Sequence, residues 1–113
     1  MAIHPENALL QAALQNARGL GLAAELVQAE GKPGRGRADA RVRLGGKKGA
    51  PRLYAVEVKR GMRPATLGAV IHQIERLGAH GLLIADYVTP AMADTLRARR
   101  IPFLDAEIGR AHV

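Results

Sequence analysis

The heaviest constraint on what this chain can fold into is a change of hydrophobic period along its middle. Over residues 37–44, Ala38, Ala40, Val42 and Leu44 alternate with Arg37, Asp39, Arg41 and Arg43. Over residues 52–59, Val56 and Val58 alternate with Glu57 and Lys59. A period of two is that of a strand with one face buried. From Pro64 onward Leu67, Val70, Ile71, Ile74 and Leu77 follow helical spacing, with Gly78 and Gly81 as stop signals. The next five residues, Gly81-Leu-Leu-Ile-Ala85, form a continuous apolar run typical of a buried strand. Half-buried strands, an amphipathic helix and a buried strand in that order define an α/β protein.

The flanks complete the order. Leu9, Leu10, Ala13, Leu14 and Ala17 repeat at helical spacing over residues 5–17, and Gly19 and Gly21 end that helix. Residues 22–28 alternate Leu22, Ala24 and Leu26 against Ala23, Glu25 and Val27 and read as a strand. A glycine-rich basic turn then leads into the 37–44 strand as a hairpin. A second such turn, residues 45–51, precedes the 52–59 strand, which is expected to pair with its predecessor. A helix from Thr89 or Pro90 to Arg99 and a short strand over 101–104 follow, giving α-β-β-β-α-β-α-β. At 113 residues and 12.0 kDa the chain fits one domain, 1–113, with a single packed core.

Charge narrows the function. The net charge is +7, and eleven of the 17 cations fall between positions 31 and 64: Lys32, Arg35, Arg37, Arg41, Arg43, Lys47, Lys48, Arg52, Lys59, Arg60 and Arg63. So regional a surplus points to a polyanion, of which nucleic acid is the obvious one. No segment approaches 18 uninterrupted apolar residues and no long basic amphipathic helix is present, which argues against a membrane. Tyr54, Tyr87 and Phe103 are the only aromatics, too few for a platform that stacks several unpaired bases, so duplex or branched DNA held by its backbone fits better. The chain has no cysteine, which removes disulfides and thiolate chemistry and is compatible with a reducing compartment. Its start lacks a signal-peptide pattern, so a cytoplasmic location is expected.

Other chemistries fail on residue type. There is no serine for a Ser-His-Asp triad and no phosphate-binding Gly-x-x-x-x-Gly-Lys-Thr loop. His4 and His112 lie at the ends, and the eight-residue spacing of His72 and His80 matches no usual zinc pair. Two acids, Asp39 and Glu57, stand alone among the eleven cations, and alternation puts Glu57 and Lys59 on one strand face. A carboxylate beside an amine in a basic field suggests metal-assisted chemistry on phosphate. The alternative is a pair of solvated strand acids that offset Arg41, Arg43 and Lys59.

The element order, with Asp39 on the second strand, Glu57-Val-Lys59 on the third and Gln73 on the following helix, resembles the PD-(D/E)XK nuclease superfamily, including Holliday junction resolvases and restriction endonucleases. The likeness covers residues 6–85; the proline usual before the Asp is replaced by the run Arg37-Ala38-Asp39. It implies a restriction endonuclease-like α-β-β-β-α-β core with a mixed central sheet flanked by helices. It also implies Mg²⁺ or Mn²⁺ held by Asp39 and Glu57, Lys59 as electrostatic catalyst and Gln73 assisting. Glu6 on the first helix is implied as an additional ligand. Arg35, Arg37, Arg41, Arg43, Lys47, Lys48, Arg60 and Arg63 are the expected DNA contacts. Residues 54–105 are also similar to the N-terminal part of bacterial proteins labelled AbiEi-type antitoxins or transcriptional regulators. The stretches that carry this second likeness are Ala55-Val-Glu-Val-Lys-Arg-Gly-Met-Arg-Pro-Ala-Thr-Leu67 and Leu82-Leu-Ile-Ala-Asp-Tyr-Val-Thr-Pro90; in those longer chains a DNA-binding region would follow, whereas this sequence departs after Asp105. The alternative to a nuclease is a non-catalytic DNA-binding or antitoxin module that keeps the fold and charge without turnover. A third reading makes the domain purely an assembly element, and a homodimer is compatible with all three.

Overall fold

A computed structural model describes residues 5–29, 40–45, 50–78, 80–106 and 111–112; the side chains of residues 5–7, 28–29 and 111–112 lie outside that description. Helix α1 runs Pro5–Gly19. Strands β1 (Ala23–Ala29), β2 (Ala40–Gly45) and β3 (Arg52–Lys59) follow. A 3-10 turn, Pro64–Thr66, opens into α2 (Leu67–Glu75), and then come β4 (Gly81–Ala85), α3 (Pro90–Ala98), β5 (Phe103–Asp105) and β6 (Ala111–His112).

The strands form one mixed sheet in sequence order. β1, β2 and β3 are antiparallel, β3–β4 and β4–β5 are parallel, and β6 closes antiparallel on β5. The expected hairpin and the pairing of the second and third strands are present. The expected boundaries of β3 and β4 coincide with those observed.

Alternation sorts the side chains between two cores. Leu10, Ala13, Leu14 and Ala17 of α1 pack on Val42, Tyr54, Val56, Val58, Leu82, Ile84 and Leu104 on one face of the sheet. On the other face, α2 (Leu67, Val70, Ile71, Ile74) and α3 (Met92, Ala93, Leu96) pack on Leu83, Ala85 and Phe103. The molecule is therefore three layers deep over β3, β4 and β5, and all five residues of β4 are buried. That double cover explains the unbroken apolar run, each large side chain contributing roughly 1.5–3 kcal/mol by burial. Over β1 and β2 no described element covers the second face: Glu25, Arg41 and Arg43 are exposed, as are Val27 and Leu53. No described helix is long and apolar enough to cross a membrane.

The elements begin and end where backbone hydrogen bonds are used up. Leu22 donates its N–H to Ala17, capping α1, so β1 starts one residue after the alternation does. Ile101 likewise donates to Leu96 to close α3, and the last long-range strand starts at Phe103 rather than at 101. The helix read from Pro64 begins with a 3-10 turn in which the Thr66 hydroxyl accepts the Arg63 N–H and donates to the Arg63 carbonyl, and its α-helical part ends at Glu75 rather than Leu77.

Candidate metal and phosphate site at the end of strand 3

β3 is antiparallel to β2 on one side and parallel to β4 on the other. Its alternation sends Val56 and Val58 into the core beneath α1 and turns Glu57 and Lys59 to the opposite face, where their ladder partners are Leu83 and Ala85. On one flank of that face α2 covers the sheet. On the other lies the uncovered part of β1 and β2. Glu57 and Lys59 thus sit at the edge of a step, with side chains 15% and 30% exposed.

The Lys59 ammonium lies 3.2 Å from Glu57 Oε2. Two residues apart on one strand, the side chains are separated by about 6.6 Å of rise, so the long lysine has to fold back along the strand to reach the carboxylate. Arg41 is on this face too, opposite Ala55, two residues before Glu57. Arg43 is paired with Glu25 across the β1–β2 ladder, which ties it to the open sheet. Arg60 and Arg63, in the connection from β3 to α2, are exposed.

Asp39, Arg35, Arg37, Lys47 and Lys48 lie outside the described residues. Ala40, which follows Asp39 in the chain, stands opposite Val56, which precedes Glu57. Glu6 is in the first turn of α1, whose body packs on the sheet face away from Glu57; its side chain is outside the description. Gln73 is exposed on α2, the helix that packs on the same face as Glu57. Among the described residues there is no group of three or more His, Asp or Glu that could hold a metal ion.

Two acids that the sequence reading passed over shape the rim. Asp86 follows β4 directly, and its carboxylate accepts the N–H of Gly61 at 3.2 and 3.0 Å and that of Tyr87 at 2.9 Å. Gly61 has φ +63°, a conformation that glycine adopts freely, and this turns its N–H toward Asp86. The Asp86 N–H in turn meets the Lys59 carbonyl at 3.4 Å. Asp105 is fully buried and accepts the Val88 N–H at 2.6 Å. The signal for both was available: each is an acid that immediately ends an apolar strand, at the carboxyl end of the parallel part of the sheet. No protein-family model, curated protein or solved structure matches this chain.

Proposed function

We propose that this chain is a Mg²⁺-dependent endonuclease-like domain that hydrolyses DNA phosphodiester bonds on a restriction endonuclease-like core. One observation carries the reading: a half-sheltered carboxylate and ammonium, Glu57 and Lys59, lie 3.2 Å apart on one face of an inner strand, beside an exposed sheet face that carries arginine. The order of helix, three antiparallel strands, helix and parallel strand supports it.

The donor chemistry suits a hard cation. Glu57 offers carboxylate oxygens that are partly open to solvent, and Mg²⁺ takes one or two carboxylates while keeping water and substrate phosphate in its remaining positions. In this reading Asp39 is the second ligand and Mn²⁺ a substitute ion. When bound, the ion supplies Lewis-acid polarisation of the phosphate and lowers the pKa of the attacking water. The chain's own groups do the rest. Lys59 counters the charge that develops on the phosphoryl oxygens, Gln73 orients water or phosphate, and Arg41, Arg43, Arg60 and Arg63 grip the DNA backbone together with Arg35, Arg37, Lys47 and Lys48.

The test is cleavage of linear, nicked and four-way DNA with Mg²⁺, with Mn²⁺ and with EDTA. Cleavage is expected with either metal and not with EDTA. Asp39→Ala, Glu57→Gln and Lys59→Ala are each expected to slow it about 100-fold or more while the circular dichroism spectrum is kept. Undiminished turnover in Lys59→Ala would refute the assignment.

One observation favours a second reading, a DNA-binding module of an antitoxin or regulator that does not cut. The Lys59 ammonium is bonded to Oε2 of Glu57, one of the two carboxylate oxygens through which a metal could be held. DNA binding that ignores EDTA, with no cleavage under any metal, would select it.

A further inference from the structure

Tyr87 is 39% exposed, whereas the chain's other two aromatics, Tyr54 and Phe103, are buried. An exposed tyrosine at a loop tip is ordinarily free to move; this one is mounted on a backbone that is held at every residue. Before it, the Asp86 N–H bonds to the Lys59 carbonyl, and the Asp86 carboxylate holds the amides of Gly61 and of Tyr87 itself. After it, Val88 is fully buried and gives its N–H to the buried carboxylate of Asp105 at 2.6 Å. These bonds also place the segment that carries the ring: it is bonded directly to Lys59 and Gly61, with Arg60 and Arg63 exposed in the same β3–α2 connection.

We infer that Tyr87 is a stacking site for one unpaired nucleobase of DNA, next to the phosphate engaged by Lys59. Every base has a π face, so a single exposed ring recognises the absence of pairing rather than sequence. A base inside an intact duplex is already stacked on both sides and gains nothing from the ring. A base at a bulge, flap or branch point gains a surface, and the backbone amides of residues 86–88 already have their hydrogen-bond partners, which lowers the ordering cost. The inference rests on the DNA reading above and adds what that reading leaves open: a preference for interrupted over continuous duplex.

The experiment measures binding in EDTA at low salt, so that cleavage plays no part. The full chain and its Tyr87→Ala and Tyr87→Phe variants are titrated against a blunt duplex and against the same duplex carrying one bulged fluorescent purine analogue. Tyr87→Ala is expected to weaken binding of the bulged probe about tenfold, equivalent to roughly 1.4 kcal/mol of stacking, and to abolish quenching of the analogue. Binding to the blunt duplex should stay within twofold, and Tyr87→Phe should behave as the parent on both probes. Equal losses on the two probes, or no loss on either, would overturn the stacking site and leave the DNA reading standing. If the parent chain binds neither probe, both readings fall together.

Discussion

Single residues decide how two of the helices stop. α1 and α3 end in the same double hydrogen bond: Leu22 to Ala17 with Gly21 to Arg18, and Ile101 to Leu96 with Arg100 to Arg97. The residue in the left-handed position is Gly21 in the first (φ +91°) and Arg100 in the second (φ +58°). A side chain there costs about 1–2 kcal/mol, part of which glycine loses again through the greater freedom of the unfolded chain. Arg100 is exposed, so nothing in the core depends on its side chain. Arg100→Gly is therefore expected to raise the melting temperature by about 3 °C in a thermal scan, and a lower value would contradict this account. At the same scale the site was half legible. Alternation alone put Glu57 and Lys59 on one face, and their salt bridge agrees with it. Asp86 and Asp105 were marked by their places at the ends of apolar strands, but which backbone amides they accept was not legible, because only the crossovers between parallel strands settle that.

The elements were read well where one residue pattern had a single physical cause. The uninterrupted run of β4 reflects cover on both faces, and the alternation of β3 reflects one deep core and one shallower flank; both strands fell where the pattern put them. Boundaries shifted where a cap competed with a strand for the same amide, at Leu22 and at Ile101, and hydrophobic pattern carries no information about that competition. The two-residue β6 is too short to have a period at all. How closely α2 approaches β4 is set by Gly81, at the first position of the strand. A Cβ there would lie 2.6 Å from the Ile74 carbonyl oxygen and 2.7 Å from its Cγ2. Neither can yield without moving the helix, so Gly81→Ala is expected to cost about 1–3 kcal/mol. The urea midpoint should fall with an unchanged m-value, and a midpoint within error of the parent's would show that α2 can slide.

At the scale of the whole molecule, the sheet has a covered parallel half and an antiparallel half that is covered on one side only. The uncovered side carries Arg41 and Arg43, and Arg60 and Arg63 follow the strand at the boundary. If these groups meet phosphates, affinity must depend on salt in proportion to the contacts made. Arg41→Gln and Arg63→Gln should each flatten the slope of log Kobs against log salt by about one, with no change in preference among sequences. An unchanged slope in both variants would take the DNA off this side. The regional surplus of positive charge was plain in the sequence. Which arginines share a side with Glu57 was not, since that depends on ladder register, and register also shows Arg43 already committed to Glu25. The placement of Glu57 and Lys59 on β3, with a hydrogen-bonded neighbour on either hand and a packed layer behind, has a consequence for timing. Groups anchored on an interior ribbon share its small thermal excursions, so their separation is set during folding, and an incoming phosphodiester meets a template already in place instead of assembling one on arrival.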